Sequence, residues 1–219
     1  MLARKLIGAG GQGGVVLTSG FLDSQSYNGS SSPHSFTNVN FGTADSGRLI
    51  VVGCGIDRTG SSTIAAVTIG GVSATKRAEI TGVWYGMSVW AATVPTGESG
   101  TIAVTGTWTR LAISAIGLYD LASTTPTASA TVINGDPSIV NCNVIGPSGH
   151  ALGFAWHGPD EYLVSTTGFV HQDSQTTINW TMETAYSGGL ATATPRAMYF
   201  DWSSNQNEQR AIGITYRGN

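Results

Sequence analysis

From Phe36 to Tyr216, short runs rich in Val, Ile, Thr, Tyr and Trp return at intervals of about 8–12 residues, each closed by Gly, Pro, Asn or Asp. A chain punctuated this often has no room for a helical period and must bury its apolar groups on strands that alternate across a sheet. The rhythm predicts an all-β fold, an antiparallel β-sandwich or a barrel. Expected strands lie at 35–41, 48–54, 63–69, 72–78, 85–94, 101–105, 111–119, 128–133, 139–145, 151–157, 168–171, 177–184, 189–194, 197–202 and 211–216. Gly70-Gly71 between two such runs is a tight-hairpin signal, because both central residues of a type I′ turn need positive φ. Alternation makes Ile50, Val52, Ile69, Trp90, Ile102, Ile113, Phe154 and Ile214 the expected core.

Composition narrows the choice further. Only 11% of the residues are charged, and the chain holds two lysines and five glutamates against 30 glycines. Strong helix formers are therefore scarce, which excludes an all-α protein and leaves little for the crossover helices of a parallel α/β fold. With 219 residues, 41% of them hydrophobic, the chain can build a core without disulfide staples. A formal net charge of −3 provides no basic field for phosphate, so nucleic acid is not an expected partner. No run approaches the ~18 apolar residues of a membrane helix, and no membrane partner is expected.

Residues 1–32 read differently from the rest. Arg4 and Lys5 stand before Gly8-Ala9-Gly10-Gly11-Gln12-Gly13-Gly14, where a secretory signal would need an apolar stretch. Synthesis and folding in a reducing cytosol are expected. After Val15 to Leu22 the sequence Ser24-Gln25-Ser26-Tyr27-Asn28-Gly29-Ser30-Ser31-Ser32 leads to Pro33, so 1–32 is expected to be an extended Gly-rich arm and linker, and 33–219 one β-sandwich domain. Leu2, Arg4, Lys5, Leu6, Ile7, Val15, Val16 and Leu17 are the arm's candidate assembly contacts. Two halves of the body echo each other. The stretch 46–53 resembles 148–155, and 109–119 resembles 209–216, which fits either two small sandwiches or two halves of a larger one. The short connection after Tyr119 favours the single sandwich.

Gly8 to Gly13 matches G-x-G-x-x-G, but no helical pattern follows it, so no dinucleotide cofactor is expected. The adjacent carboxylates Asp160-Glu161 follow Gly158-Pro159 and read as a solvated loop, not as an acid and base on one face of a cleft. His34, His150, His157 and His171 are scattered without metal-ligand spacing, and no nucleophile elbow is present. Cys54 and Cys142 sit in apolar runs and read as buried free thiols in preference to a disulfide. No catalytic residue, cofactor or metal is expected. Trp90, Trp180 and Trp202 read as core. Trp84, Tyr85 and Tyr162, beside loops, are the candidate surface contacts.

Taken together, Arg48-Leu49-Ile50-Val51-Val52, the stretch Val67 to Ala74, the stretch Trp90 to Thr105 and Arg110-Leu111-Ala112-Ile113 resemble a strand-and-turn pattern of β-sandwich structural proteins from tailed bacteriophages and prophages. The resemblance covers about residues 36–216. It implies a jelly-roll-like sandwich in or on a virion, a head decoration, minor capsid or tail-associated component that acts by assembly. Its implied partners are other virion proteins and copies of itself. The alternative expectation is a lectin-like module that binds carbohydrate, such as host surface glycans, through its aromatic loops. A glycoside hydrolase or lyase ranks last.

Overall fold

The computed structural model describes residues 19–57, 63–82, 85–133, 138–143, 149–157, 163–167, 171–176, 181–190, 195–202 and 209–219. For 138–143, 163–167, 171–176, 189–190, 195–199 and 201–202 it describes the backbone alone. The described residues form antiparallel strands and no helix: β1 (Gly20–Tyr27), β2 (His34–Asn40), β3 (Leu49–Asp57), β4 (Thr63–Ile69), β5 (Val72–Ser73), β6 (Thr75–Ile80), β7 (Tyr85–Thr93), β8 (Ser99–Thr107), β9 (Arg110–Leu118), β10 (Ala128–Ile133), β11 (Ser138–Asn143), β12 (Gly149–His157), β13 (Leu163–Thr167), β14 (His171–Thr176), β15 (Thr181–Leu190), β16 (Pro195–Trp202) and β17 (Arg210–Tyr216).

They build four sheets. The first half of the chain forms an inner sheet, β1-β9-β3-β7-β6, and an outer sheet, β2-β8-β4-β5. The second half repeats the pattern with β10-β17-β12-β15-β14 inside and β11-β16-β13 outside. The single two-sheet sandwich expected over 33–219 is thus replaced by two pairs of sheets. The physical reason lies in the inner strands: β3 and β12 are buried along their whole length and β9 from Leu111 onward, which requires a covering layer on both faces.

Three apolar layers fill the gaps. Between the sheets of the first half, Ile50, Val52, Cys54 and Ile56 of β3 meet Val39, Ile69, Ile102 and Val104. Between the two inner sheets, Leu49, Val51, Met87, Val89 and Ile116 meet Leu152, Phe154, Trp156, Met182 and Ile214. In the third layer, among the described residues, Ala151, Ala155, Ala185 and Ala211 pack with Phe200. All eight expected core residues are buried. Cys54 is a buried free thiol whose ionisation burial suppresses, and the Cys142 side chain lies outside the described residues.

The seam between the inner sheets has a particular geometry. β3 lies on β12, β9 on β15, β7 on β17, β1 on β14 and β6 on β10. With the two sheet orders aligned, the central β3 meets its own counterpart β12, and where β9 meets the counterpart of β7, β7 meets the counterpart of β9, the reciprocal relation an isologous two-fold interface produces. Glycine allows the close approach. A Cβ on Gly53 would stand 2.2 Å from Phe154 Cδ1, and one on Gly55 would stand 2.3 Å from Trp156 Cε3. Both aromatic side chains thus occupy the space that side chains at 53 and 55 would fill.

Two expectations are corrected here. Gly20–Tyr27, placed in the arm and linker, is strand β1, paired with β9 from Gly20↔Gly117 to Tyr27↔Leu111. Its polar side chains suit its place at the edge of the described sheet. The sequence echo between 46–53 and 148–155 is also shifted. It equates Leu49 with Ala151, yet Leu49 faces the seam and Ala151 faces the outer sheet. An odd slip reverses every side chain. The Gly70-Gly71 reversal is present, with φ of 58° and 80° and Ile69 opposite Val72.

Candidate functional site

The inner strands begin and end together, so the seam has two ends, separated by the nine residues of β3, about 30 Å. At one end stand Asp57, Tyr85, Arg110, His157 and Arg210. Asp57 is the register partner of both Arg110 and Tyr85, which brings the three side chains to one face. Arg110 Nη1 donates to Asp57 Oδ2, and the Thr109 amide donates to the Asp57 carbonyl at 2.6 Å. Arg210 opens β17 as Arg110 opens β9. Its buried guanidinium donates to the Gln209 carbonyl at 2.8 Å and reaches toward Gly82, in the turn after β6. On the opposite face of the second inner sheet, the buried His157 and Glu183 stand 3.6 Å apart. Among the described residues no group of three His, Cys, Asp or Glu side chains is placed to hold a metal ion.

At the other end stand Ser19, Tyr119, His150, Tyr186, Tyr216 and Asn219. The Tyr119 amide donates to Ser19 Oγ at 2.8 Å, and the Tyr119 hydroxyl donates to the Thr43 carbonyl at 2.8 Å. The His150 ring stacks on Tyr186, with Nδ1 3.0 Å from the phenol oxygen. Burial holds His150 down at about 4, against the opposing pull of Asp120. Burial also pushes the Tyr186 phenol up to about 12, partly offset by the Ser19 hydroxyl. Tyr216 is shifted up for the same reason, with the Arg77 charge opposing. Arg77 in turn donates to the Thr124 carbonyl in the crossover at 3.2 Å. The C-terminal Asn219 closes the group through its amide and side chain, which both donate to Asp120 at 3.0 Å.

Beside this end lies Arg48, fully buried. Its guanidinium donates to four carbonyls, those of Val94, Gly42, Thr96 and Gly97, at 2.7 to 2.9 Å. The planar fork with five donors is suited to this task, and it ties the segment around Gly42 to the segment Val94–Gly97.

Of the expected site residues, Leu2, Arg4, Lys5, Leu6, Ile7, Val15, Val16, Leu17, Trp84 and Tyr162 lie outside the described residues. Tyr85 is described. It is half-buried and packs on the seam core, so only part of the side chain is open to a ligand. The start of β7, next to Trp84, lies beside Asp57, and the end of β12, before the segment that holds Tyr162, lies beside Arg210, whereas Ser19, the first described residue, is at the opposite end. The Ser19, His150 and Tyr186 group has no signal in the sequence, since its members are 131 and 36 residues apart (19 to 150, 150 to 186). The Arg110 and Arg210 pair had a signal, the echo of 109–119 in 209–216.

No family model, curated protein or solved structure matches this chain.

Proposed function

We propose that this chain is a non-enzymatic structural protein of a bacteriophage or prophage virion, a head decoration, minor capsid or tail-associated component that works by contact with other virion proteins and copies of itself. The observation that carries the reading is the pairing order. In the first half, β1 pairs with β9, β2 with β8, β3 with β7 and β4 with β5, while β9 also joins β3 and β8 joins β4. A long hairpin rolled on itself has this order. It is the jelly-roll arrangement in which capsid and lectin domains are built. The second half repeats it with β10 on β17, β11 on β16 and β12 on β15.

The polarity of the body supports the same reading. Ser19, the first described residue, stands at one end, and the described strands that border Trp84 and the 158–162 segment have their termini at the other, so a body fastened at one end and presenting the other fits this layout. The second reading, a carbohydrate-binding or receptor-binding lectin-like module, is favoured by the half-open Tyr85 at the loop end. Mass spectrometry of purified particles tests the proposal: the protein is expected at fixed copy number, and removal of residues 1–18 is expected to abolish its incorporation. Absence from particles overturns the structural role. Polysaccharide hydrolysis that disappears on replacing Asp160 and Glu161 would assign an enzyme instead.

A further inference from the structure

Every open sheet has two edges, and the edges of this molecule are not protected alike. Unpaired strand edges invite other strands unless a bulge, a charge or shortness discourages them. β1 carries a bulge between Phe21 and Asp23, and Asp23 takes a hydrogen bond from the Asn40 amide at 3.1 Å. β2 has a bulge before Val39 and a left-handed Asn38, with φ of 57°. β5 has only two residues. β6 is bulged after Lys76 and carries Arg77 and Glu79 as well. β13 is bulged after Leu163, and β14 has Asp173 in its sequence. The exceptions are β10, Ala-Ser-Ala-Thr-Val-Ile, and β11, Ser-Ile-Val-Asn-Cys-Asn. They have no charge and no proline, among the described residues each pairs in unbroken register with one strand, and the two lie against each other on the same side of the second half.

β10 is also patterned for pairing. Ala128, Ala130 and Val132 turn toward the third apolar layer, while Ser129, Thr131 and Ile133 are exposed, Ile133 at 49%. A strand added outside β10 would therefore continue both faces of a two-sided sheet.

We propose that β10 is a docking edge for a second copy of this chain, paired antiparallel with its own counterpart across a two-fold axis through Thr131. The inference deepens the proposed assembly role by naming a surface, and it is tested on the isolated chain without reference to any particle. Self-pairing is favoured because an uncharged strand meets its copy without repulsion. Alternation then fixes the register. Antiparallel partners must share a face, so the axis passes through a residue and not between two. An axis at Thr131 sets Thr131 opposite Thr131, Ala130 opposite Val132 and Ser129 opposite Ile133. The first is a favourable cross-strand pair, and the last covers the most exposed apolar side chain of the strand.

Sedimentation velocity of the full chain across a concentration series tests this directly. The expected result is a monomer–dimer equilibrium that Thr131→Lys weakens roughly tenfold or more, since two ammonium groups would meet at the axis. A second pair of variants reads the register in a Cys142→Ser background. Thr131→Cys is expected to give a disulfide-linked dimer under oxidising conditions. Ser129→Cys is not, because the two copies of residue 129 would stand four positions apart along the strands, beyond the ~7 Å Cα limit for a disulfide. A wild-type chain that remains monomeric throughout, as it would if the edge served a different protein, overturns the proposal. So does a Thr131→Lys dimer of undiminished affinity, or a Ser129→Cys chain that cross-links as readily as Thr131→Cys. Failure of particle incorporation with an intact Thr131-centred dimer would overturn the virion reading alone.

Discussion

At the scale of single residues, the groups that decide this fold are those that leave no room for alternatives. Gly53→Ala puts a methyl 2.2 Å from Phe154 and 2.6 Å from Met182, in the middle of a sheet that cannot retreat. Overpacking of this kind costs about 1–3 kcal/mol. The expected loss is about 3 kcal/mol by urea denaturation. Adding Phe154→Leu should restore part of it, because the two changes share one space. Strict additivity of the two single losses would contradict the contact. Arg48→Met, of similar length but without donors, strands four carbonyl acceptors and is expected to cost about 3 kcal/mol or more in the same assay. His150 supplies a pH signature. Its folded pKa, about 4, lies below the ordinary 6.5. Between those values the unfolded chain binds a proton that the folded chain refuses, so stability falls as pH drops from about 6.5 to about 4. The shift corresponds to about 3 kcal/mol over the window. Urea midpoints at pH 7, 5.5 and 4 should show this loss, and His150→Gln should reduce it. An identical pH dependence in the variant would mean that the ring is not held neutral by the fold.

At the scale of elements, the β4–β5 hairpin gives a direct test of backbone chemistry. A Cβ on Gly71 would touch nothing within 4 Å, yet φ there is 80°. Any loss in Gly71→Ala is therefore backbone strain, expected at about 1–2 kcal/mol, with Gly71→Asn milder because Asn tolerates the left-handed region. The same element illustrates what sequence conveys well. Gly-Gly between two β-branched runs encodes its turn locally, as do the uninterrupted runs of β3, β7 and β9. β1 reads as linker in the sequence because Ser24-Gln25-Ser26 carries no apolar alternation, and only its pairing with β9, some ninety residues later, makes it a strand. Leu163–Thr167 and His171–Thr176 were missed for the same lack of pattern, and the runs expected at 177–184 and 189–194 are one strand, Thr181–Leu190. The site was less legible still. The His150 and Tyr186 contact depends on which ends of β12 and β15 coincide, which is a property of register and not of residue type.

At the scale of the whole molecule, the central question is whether the two halves are partners or a single cooperative body. Their sheet orders are repeated, their strands are related as in a two-fold interface, and the layer between them contains residues of both. Leu49, Val51, Met87, Val89, Ile116 and Leu118 from the first half are buried there, with Leu152, Phe154, Trp156, Met182, Ile212 and Ile214 from the second. Each such side chain contributes about 2 kcal/mol when fully buried. Half a dozen of them already match the total stability of an ordinary domain, so neither half should unfold while the other stands. Differential scanning calorimetry is therefore expected to show one transition, with calorimetric and van't Hoff enthalpies equal for the whole chain. Gly55→Val should break that unity. Its side chain would enter the ring of Trp156, forcing the inner sheets apart while leaving the layer between β3 and the outer sheet, around Ile50 and Ile102, untouched. The expected outcome is two resolved transitions, with Trp156 fluorescence following the earlier one. Two transitions in the wild-type chain, or one intact transition in Gly55→Val with unchanged midpoint, would show that the seam does not couple the halves.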